Sequence, residues 1–236
     1  MLSLVAFLSH RSIIFLIKCG LKTGMLDYEE LSEHLFGRLG FFITLIFMFL
    51  TSFGACVAYV VVIGDTIPVV LELYYPTEIM ASRAVVIALF SVVIVLPLCL
   101  MKDLASLAQT SAISIVADII IILIVLTQGP AVAKDRGIVI HRAELGTVNP
   151  SVFMGVGIMS FAFVCQQSNF IIFRGLKDRT LKSWKKISAW SIFISYALSM
   201  TLGVGGYLIF LNKTKSDVLD NFPLGGTSTD TVLIEL

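Results

Sequence analysis

Long apolar runs alternate along this chain with short polar connections. A hydrocarbon core about 30 Å thick takes roughly 20 residues of helix. By that measure the spans fall at about residues 2–20, 41–71, 84–101, 111–127, 152–173 and 187–211, six in all. The second run carries on past Gly64, Asp65 and Pro68. That is more than a perpendicular crossing needs, and it predicts a tilted helix with an irregular end. Between the first two runs lies DYEELSEHLFGR, where Asp27 is placed to cap a helix whose Tyr28, Leu31 and Leu35 make one apolar stripe. The pattern predicts a short amphipathic helix at the membrane surface or packed on the bundle. Its acids, Glu29, Glu30 and Glu33, read as a solvated face. The stretch 128–150 is polar and bounded by Gly129-Pro130 and Asn149-Pro150, which are turn signals. The fold class is therefore all-α membrane protein, with residues 1–236 forming one transmembrane domain of about six helices.

Composition sharpens the class. Of 236 residues 57% are hydrophobic and 14% charged, with a mean hydropathy of +0.96; a soluble domain of that length could not hide so much apolar surface. The net charge of +1 and the lack of any recognisable module argue against nucleic acid as a partner. Cys19, Cys56, Cys99 and Cys165 all lie in apolar runs without CxxC or histidine partners at metal spacing, so they read as small buried hydrophobes and no metal site is expected. No nucleophile with a base and no glycine-rich phosphate loop is legible, and the chain is not read as an enzyme. Ten of the Lys and Arg residues fall in one set of loops, six of them between Arg174 and Lys186, against six in the opposite set. The richer side is cytoplasmic by the positive-inside rule. Asn212-Lys213-Thr214 then lies on the lumenal or extracellular side, where it is either a glycosylation acceptor or a chance triplet.

Three places break the apolar rule, and polar groups in hydrocarbon mark helix contacts, cavities or ion paths. In the fifth run Gln166, Gln167, Ser168 and Asn169 are consecutive, so they cover the whole circumference of a helix. Two readings stand at this stage: a locally broken helix lining a cavity, whose freed backbone groups become ligands, or a block already at the cytoplasmic interface. Asp65 and Asp118 are the other two exceptions. Either could pair with Arg11, the only arginine inside a span; capping or pairing is the expectation for Asp65, and Asp118 stays open.

The segment GVGIMSFAFVCQQSNFIIFRGLKDRT, the apolar helix after it and GYLIFLNKTKSDVLDNFP resemble the sixth and seventh helices of the amino acid/auxin permease superfamily. LDYEELSEHLFGRLG and FGACVAYVVVIGDTIP resemble the loop and third helix of the same proteins. The nearest branch is the sodium-coupled neutral amino acid transporters and their vacuolar relatives. Members often carry a Cys-His pair in the sixth helix where this chain has Cys165 followed by Gln166 and Gln167, which bears on substrate preference and on any histidine-linked pH response. The resemblance implies an inverted-repeat bundle of leucine-transporter type with helices one and six broken at mid-membrane around the substrate. It implies that Ser160, Phe161, Phe163, Val164 and Cys165 bind substrate, with Ala58 and Tyr59 as opposing wall, and that Gln166, Gln167 and Asn169 form the cytoplasmic gate.

The same resemblance implies partners and limits. The substrate is a neutral amino acid, the coupling ion sodium or a proton with no organic cofactor, and the setting a bilayer of plasma, vacuolar or lysosomal type. Against the family's eleven helices this chain corresponds to about helices two to seven, truncated at both ends, so the isolated chain is expected not to perform coupled transport. The function expected is thus a secondary active transporter in an incomplete form. The alternative is a non-transporting fragment or isoform that modulates a full-length relative. A channel is disfavoured, since no filter motif or charged ring is present.

Overall fold

Apolar runs become helices, because a backbone surrounded by lipid must satisfy its own hydrogen bonds; Gly129-Pro130, expected as a turn, lies instead inside a helix that continues to Asp135. The computed structural model describes residues 1–74, 83–100, 104–135, 151–211, 214 and 218–222, and these are helical throughout apart from turns and short connections. In chain order the helices are α1 (Leu2–Thr23), α2 (Tyr28–Tyr74), α3 (Arg83–Phe90), α4 (Leu96–Leu100), α5 (Leu104–Asp135), α6 (Ser151–Ala162), α7 (Asn169–Gly175) and α8 (Leu181–Phe210). Five stretches are long and apolar enough to cross a membrane: Leu2–Thr23, Tyr28–Pro68, Thr110–Lys134, Val152–Gly175 and Leu181–Phe210. The sixth expected span appears as the shorter apolar helix Arg83–Val95, continued by α4. The chain is a multi-pass integral membrane protein.

Local chemistry sets the irregularities. The amphipathic segment and the second span join at Gly37, whose φ of 70° and ψ of −167° lie in a region open essentially to glycine alone. Just beyond it, Thr44 Oγ1 donates to Ser32 Oγ at 2.8 Å and ties the short helix back onto the start of the span. Between α3 and α4 the turn Ser91–Val95 is π-helical, with the Leu96 amide bonded to the Ser91 carbonyl. Pro97 follows at once. It has no N–H to give and its ring crowds the carbonyl four residues back, and a widened turn accommodates that. Thr180 caps α8 by accepting the Ser183 amide at 3.2 Å.

The chain divides into two units. The first comprises Met1–Phe49 and Ala117–Lys213. In it α1 runs along α8 and also touches α6 and α7, and a hydrogen bond of 2.9 Å joins Ser3 Oγ to the Tyr196 hydroxyl. Its core is Ile13 and Ile17 of α1, Leu31 of α2, Phe170 and Phe173 of α7 and Trp184 of α8. The second unit comprises Leu50–Val116 and Thr214–Leu236. There Arg83 Nη2 lies 2.9 Å from Asp65 Oδ1, both side chains more than half exposed. Asp65 thus pairs with Arg83 rather than with Arg11. Large apolar side chains such as Phe47, Phe49, Val92, Ile113 and Phe153 are exposed on the helices, as expected where the surrounding solvent is lipid and apolar surface carries no penalty.

Candidate functional site

The α-helix that begins at Ser151 stops at Ala162 inside a membrane-spanning stretch. Phe163 and Val164 donate to the carbonyls of Ser160 and Phe161, at 3.3 and 3.1 Å, three residues back instead of four. Cys165 then leaves helical geometry altogether, at φ −140° and ψ 8°. Its amide is taken by Oε1 of Gln166 at 3.0 Å. A side chain that offers the backbone a different acceptor competes with the helix ladder, and the glutamine does so here. A single 3-10 turn, Gln166–Ser168, restarts the helix, and α7 follows from Asn169.

The half of the segment after the break carries buried side chains. Phe170 is 2% exposed and Phe173 fully buried; the Phe173 ring meets Trp184 edge to face, with centroids 5.6 Å apart. Phe170 seats against Gly20 of α1, where a Cβ would lie 2.5 Å from its Cε1, so only glycine lets the two helices approach this closely. Arg174 grips both carboxylate oxygens of Asp27, with Nη1 at 3.0 Å from Oδ2. Asp27 therefore begins α2 through its carbonyl, which accepts the Leu31 amide at 3.0 Å, while its side chain, expected to cap the helix, reaches across to α7. Of the apolar stripe, Leu31 and Tyr28 join this core and Leu35 stays exposed.

The residues expected from the sequence to form the site divide accordingly. Ser160 and Phe161 are exposed on the last turn of α6, Phe163 is buried, Val164 is exposed and Cys165 is half-buried with Sγ 3.6 Å from the Phe163 carbonyl. Gln166 and Gln167 are half-buried in the 3-10 turn. Asn169 is 3% exposed and its Nδ2 has no hydrogen-bond partner among the described residues. Ala58 and Tyr59 lie on α2 within the second unit, both exposed there. Asp118 is exposed on α5. Asn212 lies outside the described residues. The Asp27–Arg174 pair and the Phe170, Phe173 and Trp184 packing were not foreseen; the signal in the sequence was the i, i+3 spacing of Phe170 and Phe173 just after the polar block.

A broken membrane helix exposes backbone carbonyls at the end of its first half and amides at the start of its second, and such ends are suited to the charged groups of a small zwitterion. Comparison with known proteins bears on which one. A model of the family described as "Transmembrane amino acid transporter protein" matches residues 1–235. The chain is 31% identical to "Putative sodium-coupled neutral amino acid transporter 11" of Bos taurus over 92% of its own length and 47% of that protein's. It is 31% identical to the protein of the same name in Danio rerio, over 94% and 50% of the two lengths. It is 30% identical to "Vacuolar amino acid transporter 2" of Saccharomyces cerevisiae, over 87% and 44%. The chain thus spans about half the length of the curated relatives it matches. No solved structure matches it significantly.

Proposed function

The chain belongs to the transmembrane amino acid transporter family, and from that premise we infer that it serves in secondary active transport of neutral amino acids driven by a sodium or proton gradient. The observation that carries this reading is the loss of α-helix from Phe163 to Cys165 within a membrane-spanning stretch. The carbonyls that end α6 meet the ammonium group of the substrate, and the amides that restart the helix meet its carboxylate. Ser160, Phe161, Phe163, Val164 and Cys165 shape the pocket around the side chain. Gln166, Gln167 and Asn169 lie on the cytoplasmic side of the break and act as the gate. The neutral class of substrate and the sodium option follow the names of two of the relatives.

The test is uptake of labelled alanine and glutamine by vesicles from cells expressing the complete gene product that carries this sequence. Saturable uptake that collapses with the sodium or proton gradient is expected. Phe161→Trp and Cys165→Trp each fill the space beside the break and are expected to abolish uptake while surface expression persists. Normal uptake by both variants would remove this segment from the pocket, and uptake indifferent to both gradients would overturn the coupling.

A further inference from the structure

Away from the helix break, the first unit carries a groove of ≈ 450 Å³ between α1 and α8. Three cations open into it, Arg11 and Lys18 from α1 and Lys185 from α8, over an apolar floor that includes Ile14, Phe15 and Leu181. No acidic residue lines it, and none of the three cations has a carboxylate within ion-pair distance among the described residues. The groove does not end there. Phe7 and His10 are shared with a second groove of ≈ 340 Å³, mostly apolar, which follows the same two helices past Ala6, Ile192 and Phe193 to Ser3 and Tyr196. From Lys18 to Ser3 the path is about 22 Å at 1.5 Å per residue, longer than the ~15 Å of one leaflet's hydrocarbon.

We propose that this paired groove is a binding site for one anionic phospholipid of the cytoplasmic leaflet. Lys18 and Lys185 stand where α1 ends and α8 begins, on the side that the positive charges mark as cytoplasmic, and they hold the phosphate. Arg11 lies seven residues, about 10 Å, further into the membrane. An exposed guanidinium at that depth is costly unless it meets an acceptor; its Cζ is 5.1 Å from the Phe7 ring centroid, and the glycerol ester carbonyls beneath the phosphate come within reach of its long side chain. One acyl chain then follows Phe7, Ala6, Ile192 and Phe193 towards the bilayer centre. Charge decides the occupant: an apolar helix or a second copy of this face would leave three cations unpaired, whereas an anionic lipid supplies the phosphate, the carbonyls and the chain in the order in which the groove presents their partners. The site is independent of the transport reading.

Native mass spectrometry of the purified protein in mixed phosphatidylserine and phosphatidylcholine tests it. One phosphatidylserine is expected to be retained in preference to phosphatidylcholine, and glycerophosphoserine, which has the head group but no chains, is expected not to displace it. Lys18→Gln with Lys185→Gln removes two phosphate ligands and is expected to lower retention roughly thirtyfold. Lys182→Gln with Lys186→Gln makes the same change in net charge on neighbouring residues that do not line the groove, and is expected to leave retention unchanged. Ile14→Trp, which fills the floor and keeps every charge, is expected to release the lipid while the thermal midpoint holds. Equal loss from both lysine pairs would reduce the effect to general surface charge and overturn the site. Equal retention of phosphatidylcholine, or displacement by the head group alone, would overturn it as well.

Discussion

Gly20→Ala sets two general rules against each other. Gly20 sits in the last turn of α1 with ordinary helical geometry, so helix propensity alone predicts that alanine stabilises by ~0.5–1 kcal/mol. The tertiary setting predicts the reverse. A Cβ at this position would lie 2.5 Å from Cε1 and 3.0 Å from Cζ of Phe170, and 2.7 Å from the Met25 carbonyl oxygen. Carbon pairs rest at about 3.5–4.0 Å, so the ring must withdraw by roughly 1 Å. It has nowhere to go, because Phe170 is 2% exposed and packed with Ile13, Ile17, Leu31 and Phe173. Overpacking of this kind costs ~1–3 kcal/mol, which for a protein of this size lowers the thermal midpoint by roughly 3–10 °C. The assay is a thermal unfolding series by size-exclusion chromatography on wild type, Gly20→Ala, Phe170→Leu and the double variant. Removing the ring edge should relieve the ring's part of the penalty and leave that of the Met25 carbonyl, giving a favourable coupling of about 1 kcal/mol. A raised midpoint for Gly20→Ala, or strict additivity with Phe170→Leu, would refute the claim that this contact seats α7.

Two further outcomes follow from the same region. The Asp27 and Arg174 side chains are 32% and 43% exposed, so solvent screening limits their pairing to about 1 kcal/mol in spite of its bidentate geometry; a double-mutant cycle with alanine at both positions should show that coupling, its loss in high salt, and partial recovery when the two charges are exchanged. Gly37→Ala forces a side chain into a backbone region that only glycine occupies readily, at a cost of ~1–3 kcal/mol; the measured fall in thermal stability should exceed that of Gly54→Ala on the same helix, where no neighbour lies within 4 Å of a new Cβ and the backbone is ordinary.

The membrane class was legible in the sequence, and the polar block offered a break as one of two readings, because each rests on what lipid demands of a single segment. A run such as 187–211 has nowhere else to go. Four polar residues in a row from Gln166 to Asn169 cannot hide on one face of a helix, so the backbone there had a reason to depart from it. The amphipathic helix from Tyr28 was visible through its stripe for the same local reason, although Leu35 of that stripe proved exposed. What no single segment could disclose was how the break is held. Asp27 looked like a helix cap until the fold brought Arg174, 147 positions away, to its carboxylate. Phe170 and Phe173 lie in an apolar run, and only the fold brings Gly20 and Trp184 against them. Arg11 looked like the partner of an intramembrane acid, yet Asp65 pairs with Arg83 and Arg11 opens into a groove beside α8. Periodicity and burial are averages along one helix, whereas a pairing depends on which two helices meet and at what depth, and only the tertiary structure fixes both.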